Sequence, residues 1–204
     1  MKISIDMKKA IKSDRDKVVK IISESFDGNP HINFIIKNDR KRNKRMNAMA
    51  QYAFNIGIRR DGIYLTDDEQ GVAIVFRRSQ FKKSLYEYWL QLCLVFKAFT
   101  VLRSSKILKL ESLVERNRET GGDYLYIWFL GVRDNALGTN DARELMKYIF
   151  KMSQVLSLPL YSETTVKRNN KVYKRFGFED YNILKTGMGN LIFYYMKRPV
   201  RFNY

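Results

Sequence analysis

The sequence predicts an α/β fold, because segments with the composition of strands alternate along the chain with segments of helical period. Residues 124–132 (YLYIWFLGV) are aromatic and β-branched, which is typical of a buried strand. Residues 137–156 then predict a loop that leads into an amphipathic helix, and residues 158–165 predict a second strand. The last third of the chain therefore predicts a unit of strand, loop, helix and strand.

The earlier elements follow from local signals. A strand ending near Lys12 precedes a helix that Ser13 or Asp14 would cap, and Gly28 and Pro30 break that helix. A second amphipathic helix follows, and then a hairpin turns at residues 69–71. Two helices are predicted within residues 80–122, and a final hairpin turns at residues 187–190.

The composition is that of a folded protein. Of its 204 residues, 45% are hydrophobic, and a disordered chain would not carry 13 tyrosines and 13 phenylalanines. The length suits one domain over residues 1–204, with a helical insertion at about residues 80–122. The net charge of +17 favours a polyanionic partner, which includes nucleic acid, anionic lipid and polyanionic small molecules.

Cysteine usage and the absence of targeting signals indicate a reduced, cytoplasmic setting. The single cysteine, Cys93, has no partner for an internal disulfide and lies in an apolar segment, where a buried side chain is expected. No signal-peptide pattern opens the sequence. Residues 86–102 are the longest apolar segment, but Gln91 and Lys97 interrupt it and it is too short to span a bilayer. We expect no membrane partner.

The most specific motif lies at residues 162–178. It contains Glu163-Thr164-Thr165, then Asn169, then Tyr173 four residues later, and it ends in Arg175 and Phe176-Gly177-Phe178. With the elements before it, this motif resembles the acetyl-CoA-binding half of the GNAT-superfamily N-acetyltransferases. The resemblance implies a mixed, mostly antiparallel central sheet flanked by helices, with the two-helix insertion placed before the central strand. It also implies transfer of an acetyl group from acetyl-CoA to a primary amine in a direct ternary complex.

The resemblance places the pyrophosphate of acetyl-CoA on the loop before the predicted helix, where free N–H groups and the helix dipole favour phosphate. The implied binding residues are Leu137, Gly138, Thr139, Asn140 and Ala142. Ala142 matches the family pattern, whereas Leu137 and Asn140 depart from it. A left-handed Asn140 would take the place of a glycine. The adjacent Asp141 would repel a phosphate unless it points away, and a plain helix cap is the alternative interpretation.

The resemblance also implies that the pantetheine arm runs along main-chain groups of Leu130, Gly131 and Val132, where a bulge separates the central strand from its neighbour. We expect Gly131 to mark that bulge. A backbone N–H at this place would stabilise the oxyanion of the tetrahedral intermediate. The aromatic side chains of the strand are expected to form core or cleft wall, namely Tyr124, Tyr126, Trp128 and Phe129.

Tyr173 is the predicted catalytic residue, because a phenol held near the sulfur would protonate the departing thiolate of CoA. Asn169 lies one helical turn earlier and would face the same way, toward the backbone or the pantetheine amides. The sequence does not assign a general base. The candidates are scattered along the chain: His31, Glu111, Asp123, Asp134 and Glu163.

Several alternatives remain open at this stage. The acyl donor would be another acyl-CoA in a second enzyme interpretation. In a different class, the chain would be a degenerate CoA-binding or basic nucleic-acid-binding module without catalysis, in which clusters such as residues 37–45 bind the polyanion. No metal is expected, because the chain has one histidine and no acidic cluster at ligand spacing. The acceptor would be a small-molecule or peptide amine.

Overall fold

The computed structural model describes residues 7–81, 84–99, 101–119, 121–133 and 140–201. The helices in this part of the chain are α1 (Arg15–Ser25), α2 (Pro30–Ile35), α3 (Arg42–Arg59), α4 (Leu85–Ala98), α5 (Val101–Arg116), α6 (Asp141–Leu156) and α7 (Lys167–Arg175). The strands are β1 (Lys8–Lys9), β2 (Ile63–Leu65), β3 (Gly71–Arg77), β4 (Leu125–Val132), β5 (Leu160–Thr164), β6 (Glu179–Lys185) and β7 (Ile192–Arg198).

The strands form one mixed sheet in the order β1-β2-β3-β4-β5-β7-β6. Every neighbouring pair is antiparallel except β4 and β5, which run parallel in the centre of the sheet. Helices α4 and α5 precede β4 in the chain. The predicted fold class, a mostly antiparallel sheet with two helices before the central strand, is confirmed.

One local prediction near the N-terminus, the end of the first strand, needs correction. Strand β1 ends at Lys9 instead of near Lys12, because a short 3-10 turn over Lys12–Asp14 leads into α1. Asp14 stabilises that turn by accepting hydrogen bonds from the Ile11 N–H at 3.0 Å and from Lys8 Nζ at 3.0 Å. The backbone hydrogen bond from Ile11 holds the pKa of the Asp14 carboxyl below its ordinary value of 3.8; burial opposes this and Lys8 adds to it.

Residues after the predicted break at Pro30 form the short helix α2, which the sequence did not predict. Asn29 caps it, because its Oδ1 accepts hydrogen bonds from the N–H groups of His31 at 2.9 Å and Ile32 at 3.4 Å. Pro30 occupies the first helical turn, where its missing N–H costs nothing. Pro30, one of the two residues predicted to break α1, is therefore the first residue of a new helix.

The bulge in the central strand lies at Trp128, and the prediction of Gly131 was wrong. In the ladder with β3, Ile74 pairs with Phe129 and Val75 pairs with Ile127, so Trp128 is the extra residue. The bulge places two successive side chains on one face, and both Trp128 and Phe129 pack against the core beneath α1 and α3. The bulge thus lies where a large aromatic side chain packs against this core, and not at a glycine.

Gly131 has a different role, which is to admit helix α1 close to the strand. A Cβ at this position would lie 2.2 Å from Ser25 Oγ and 3.1 Å from Phe26 Cε2. On the other face of the sheet, Leu145, Met146 and the rest of the apolar side of α6 form a second core. The central strand is thus held between helices on both faces.

Helix α4 is oriented with its charged residue inward. Glu87 is buried and forms an ion pair with Arg60, whose Nη2 lies 2.8 Å from Glu87 Oε2. Cys93 is only half-buried, which corrects the expectation of a core side chain. Cys93 is partly exposed because α4 packs on α3 with one side only, and the other side of α4 is exposed to solvent. Within the described residues, no helix is both long and apolar enough to cross a bilayer.

Candidate active site

The central feature of the site is a fork between the two parallel strands. Strands β4 and β5 pair at Leu125, Tyr126 and Ile127, and in the described chain the pairing ends there. Beyond this point β4 continues through the Trp128 bulge along β3 and leaves β5. The hydroxyl of Ser162 donates to the Ile127 carbonyl at 3.3 Å, so a buried side chain holds the base of the fork.

Tyr173 lies at this fork. The Ser162 hydroxyl interacts with the Tyr173 phenol, and both residues line the same cavity. Burial raises the pKa of the Tyr173 phenol above its ordinary value of 10.0, and the hydrogen bond with Ser162 only partly offsets this. The phenol therefore keeps its proton at neutral pH, as a proton donor requires.

Helix α7 is fixed by contacts on its inner side. Asn170 is buried and donates to Asp180 Oδ1 at 2.6 Å, and Lys174 pairs with Asp180 Oδ2 at 2.6 Å. The Tyr173 ring packs edge-on against Phe178, with centroids 5.1 Å apart. Asn169, one residue before the anchor, is exposed and lines the cavity with Tyr173. The structure brings together the two side chains that the motif paired.

A cavity of about 420 Å³ extends from the fork. Aromatic side chains form part of its walls, and Tyr124, Tyr126, Trp128 and Phe129 from β4 are all among them. Helices α4 and α5 contribute a further wall that includes Gln91, Leu94, Val95, Ile107 and Leu108. The predicted two-helix insertion therefore borders the cavity.

The charge of the cavity differs from that of the whole chain. Its described lining includes five glutamates (Glu87, Glu111, Glu115, Glu119 and Glu163) and three arginines (Arg60, Arg78 and Arg118). The chain as a whole carries a net charge of +17. A cavity that combines aromatic and aliphatic walls with an excess of carboxylates in its described lining favours a cationic ligand with an apolar body.

Arg118 and Glu163 form a two-bonded ion pair in the wall of this cavity. Arg118 donates to Glu163 from Nε at 2.9 Å and from Nη2 at 2.6 Å, and its guanidinium lies 5.1 Å from the centre of the Tyr126 ring. Burial lowers the pKa of the Arg118 guanidinium, but Tyr126 and Glu163 outweigh it and raise that pKa above its usual range. Arg118 stays charged and holds Glu163 in place.

His31 and Glu111 form a second polar pair. His31 Nε2 lies 2.8 Å from Glu111 Oε1, and the imidazole packs edge-on against Phe193 with centroids 5.1 Å apart. The capping residue Asn29 connects this pair to the end of β5, because Thr165 Oγ1 donates to Asn29 Oδ1 at 3.3 Å. All of these residues line the cavity. An imidazole with one ring nitrogen hydrogen-bonded to a carboxylate is suited to accept a proton at its other ring nitrogen.

Of the other predicted base candidates, Asp123 is not among the residues that line the cavity. Glu111, Glu163 and His31 line the cavity, but Asp123 pairs with Arg77, whose Nε lies 2.6 Å from Asp123 Oδ2. Asp134 lies outside the described residues.

Of the predicted donor-binding residues, Leu130 lines the cavity, and Gly131 and Val132 continue β4 beyond it. Leu137, Gly138 and Thr139 lie outside the described residues. Asn140 has φ −79°, so the expectation of a left-handed residue was wrong. Its amide instead donates to Glu144 at 3.1 Å, which holds it in the right-handed conformation at the start of α6.

The paired question at the start of α6 is whether the carboxylate of Asp141, which would repel a phosphate, faces the surface. Asp141 is buried, with 6% of its surface exposed, while Ala142 next to it is half-buried. The carboxylate is therefore not part of the open surface at this end of α6.

Three site residues were missed by sequence reasoning: Asn29, Arg118 and Ser162. Ser162 directly precedes the recognised Glu163-Thr164-Thr165 segment, so its position was a usable signal. Arg118 comes from the insertion, and Asn29 precedes a proline that was interpreted only as a breaker. Neither lies in a motif that the sequence makes visible.

Comparisons with known proteins bear on the fold. No protein-family model and no curated protein matches the chain. Among solved structures, arylalkylamine N-acetyltransferase 2 from Aedes aegypti is similar at TM-score 0.69 and 12% identity, covering 96% of this chain and 99% of that one. A Corynebacterium glutamicum protein described as histone acetyltransferase HPA2 and related acetyltransferase is similar at TM-score 0.68 and 15% identity, covering 97% of each chain.

A third structure carries the family name. It is described as a GNAT-family acetyltransferase from Desulfovibrio desulfuricans, with TM-score 0.52, 12% identity and coverage of 96% and 98%. The chain thus has the fold of the GNAT acetyltransferases along almost its whole length. At these identities the likeness shows the fold alone.

Proposed function

We propose that this protein is an N-acetyltransferase that moves an acetyl group from acetyl-CoA to the primary amine of a small molecule. The observation that supports it most is the fork at Ile127 and Ser162 with the Tyr173 phenol beside it. A donor arm entering along β4 would bring its thioester to the one place where the strands part. There the reacting carbonyl meets main-chain donors and a protonated phenol.

The donor is a polyanion, and the charge of the protein suits it. Helix α7 carries exposed cations on both sides of Asn169, among them Lys167, Arg168 and Lys171. The start of α6, at Asn140 and Ala142, offers free N–H groups and the positive end of a 16-residue helix. In the proposal, Asn140 and Ala142 bind the pyrophosphate together with Leu137, Gly138 and Thr139.

The reaction requires no covalent enzyme intermediate. The amine nitrogen attacks the thioester carbon, and its electron pair forms the new C–N bond while a main-chain N–H of β4 stabilises the oxyanion. The C–S bond then breaks and leaves its electrons on sulfur while the C=O bond forms again. The nitrogen, which carries one excess proton after the attack, releases that proton to solvent as the amide forms. Tyr173 donates its proton to that thiolate and regains one from solvent. Asn169 binds the pantetheine amides and orients the arm.

The attacking amine must first lose a proton, and His31 is the proposed acceptor. Its pairing with Glu111 through Nε2 leaves Nδ1 for the amine or a bridging water, and the resulting imidazolium faces a carboxylate. The net negative, aromatic cavity favours a cationic amine with an apolar body. Small amines of this kind are the proposed acceptors, in preference to peptide termini.

Thermal unfolding with ligands tests the donor half of the proposal. Acetyl-CoA at a hundred times its dissociation constant should stabilise the protein by about 2.7 kcal/mol. ATP and a single-stranded oligonucleotide are the matched polyanion controls, because a chain of charge +17 binds polyanions without specificity. Equal stabilisation by all three would favour the basic binding module and contradict the proposal.

Release of free CoA tests the acceptor half. Arylalkylamines, aliphatic diamines and peptides with free N-termini are offered with saturating acetyl-CoA, and apolar amines should give the highest kcat/KM. Specific binding of acetyl-CoA without release of CoA above the hydrolysis background for every amine would identify a degenerate CoA-binding protein.

A further inference from the structure

The most unusual surface of the molecule is the outer side of α4. Six large apolar or aromatic side chains project from it: Leu85, Tyr86, Tyr88, Trp89, Leu92 and Phe96. Leu85 is 88% exposed, Phe96 is 70% exposed and Trp89 is 56% exposed. Single exposed apolar residues are ordinary, but a continuous strip of them marks a surface that contacts something else.

The spacing of these residues explains why they form one strip. Leu85, Trp89, Leu92 and Phe96 follow each other at intervals of four, three and four residues, which places them along one side of a helix. The strip runs the full length of the 14-residue α4, which is about 21 Å. An ordinary surface helix exposes its charges, whereas α4 buries Glu87 against Arg60 and exposes its apolar side.

Basic side chains lie at both ends of the strip. Arg59 is exposed beside its N-terminal end, where its guanidinium lies 5.0 Å from the centre of the Tyr86 ring and its Nη2 donates to Ser84 at 3.3 Å. Lys97 is exposed next to Phe96 at the other end. In the sequence, Lys82 and Lys83 directly precede the helix.

We infer that α4 docks on an anionic phospholipid bilayer, with its apolar side in the interfacial region and the flanking cations at the headgroups. Trp, Tyr, Phe and Leu on one side with basic residues at the ends are the composition of helices that lie in a membrane interface. The net charge of +17 attracts an anionic surface and repels a second copy of the chain. A lipid surface therefore fits better than a homodimer.

This inference changes one sequence expectation. We expected no membrane partner because no segment spans a bilayer, but a helix that lies on a membrane needs no span. The opposite side of α4 lines the cavity through Gln91, Leu94 and Val95. Docking would therefore place the bilayer beside the cavity.

Flotation with vesicles tests the inference without any substrate, so its outcome is independent of the proposed reaction. The full chain is mixed with vesicles of phosphatidylcholine alone or of equal parts phosphatidylcholine and phosphatidylglycerol. It should float with the mixed vesicles, and rising ionic strength should weaken the binding. The double variant Trp89→Ser/Leu92→Ser should bind about tenfold more weakly or worse, since both side chains would leave the bilayer.

Two further variants separate the apolar and charge contributions. Val155→Ser on α6 removes a side chain that is 74% exposed elsewhere and should bind as the wild type does. Lys97→Glu should weaken binding to the anionic vesicles by more than about fivefold, because loss of one interfacial cation alone corresponds to about fivefold and the new carboxylate adds repulsion. Tryptophan quenching by brominated lipid should occur in the wild type and disappear in Trp89→Phe, which keeps the interior Trp128.

Three outcomes would overturn the inference. They are equal flotation of the Trp89→Ser/Leu92→Ser variant, quenching that persists in Trp89→Phe, and a dimer in solution that the double variant converts to a monomer. Light scattering after size-exclusion chromatography measures the last of these and would assign the strip to a second copy. Circular dichroism verifies that the double variant remains folded, which is expected because both side chains are exposed.

Discussion

Arg118 and Glu163 are joined by two parallel hydrogen bonds, of 2.9 and 2.6 Å, although they lie 45 residues apart on α5's C-terminal side and on β5. The pair ties the helical insertion to the strand that carries Ser162. Because both side chains are largely removed from water, neither charge is tolerated without the other. The contact thus couples the fold of the insertion to the geometry of the site.

The first prediction follows from this pair. Arg118→Met should lower the free energy of unfolding by about 3 kcal/mol, because it leaves the Glu163 carboxylate buried and unpaired. Arg118→Met/Glu163→Leu should lose less than Arg118→Met alone, since it removes both charges. Urea unfolding measures both, and an equal or larger loss in the double variant would contradict the prediction.

Tyr173→Phe should lower turnover by roughly 10²- to 10⁴-fold while the affinity for acetyl-CoA stays near that of the wild type. The ring packing against Phe178 is kept and only the proton is lost. Tyr161→Phe, on the adjacent strand β5, is the matched control and should turn over normally. Near-normal turnover in Tyr173→Phe would show that the phenol only packs.

The pH dependence of proton donation by Tyr173 follows from the direction in which the pKa of its phenol is shifted. Since burial raises the pKa of the Tyr173 phenol above 10.0, the proton donor is present throughout the neutral range and is lost only above that value. Wild-type kcat should therefore show no decline attributable to this group as pH rises from neutral toward 10.0. Stopped assays across this range, with folding monitored by fluorescence, check it.

His31→Gln should reduce turnover by roughly 10²-fold or more with apolar amines and leave acetyl-CoA binding unchanged, because it removes the proton acceptor. Glu111→Gln keeps the size of the partner and should give a smaller loss. Glu163→Gln tests the rival carboxylate of the cavity. If the Glu163 variant loses turnover and the His31 variant does not, the base has been assigned to the wrong residue.

Asp14→Asn should lower the free energy of unfolding at neutral pH by about 1–3 kcal/mol, because it weakens hydrogen bonds to a buried carboxylate. The folded-state pKa is depressed below 3.8, so this stability is complete above that pH and is lost as pH falls through the folded-state pKa. The difference between variant and wild type should shrink accordingly in acid. Denaturant unfolding at several pH values measures it.

Gly131→Ala should destabilise the protein by about 1–3 kcal/mol, since its Cβ would lie 2.2 Å from Ser25 Oγ. Ser25→Gly in the same chain should recover part of that loss by removing the clashing side chain. Gly28→Ala is the control, because no atom lies within 4 Å of the new Cβ. A Gly131→Ala protein as stable as the control would contradict the packing argument.

Local signals predicted those features that local chemistry determines. Helix α6, the final hairpin and the pairing of Asn169 with Tyr173 follow from period and motif, because each depends on residues close in sequence. The mostly antiparallel sheet was expected from the family resemblance, because its strand order depends on pairings between distant segments. The position of the bulge did not follow, since Trp128 is selected by packing from α1 and α3 and not by a glycine.

The exposure of the outer side of α4 could not be predicted from the sequence for a related reason. An apolar segment predicts contact with something apolar, but the sequence does not say whether that is the protein core or an external surface. The burial of Glu87, Leu90 and Ala98 in the structure shows which side of α4 faces inward. Similarly, tertiary contacts place Arg118 and Ser162 in the site, because Arg118 binds Glu163 and Ser162 binds the Ile127 carbonyl.

The parting of β4 from β5 leaves peptide groups after Ile127 on an open strand edge. A ligand with its own amides would complete that edge as an additional short strand, and main-chain atoms would carry much of the recognition. Main-chain recognition is indifferent to side-chain identity, so such a site tolerates wide divergence.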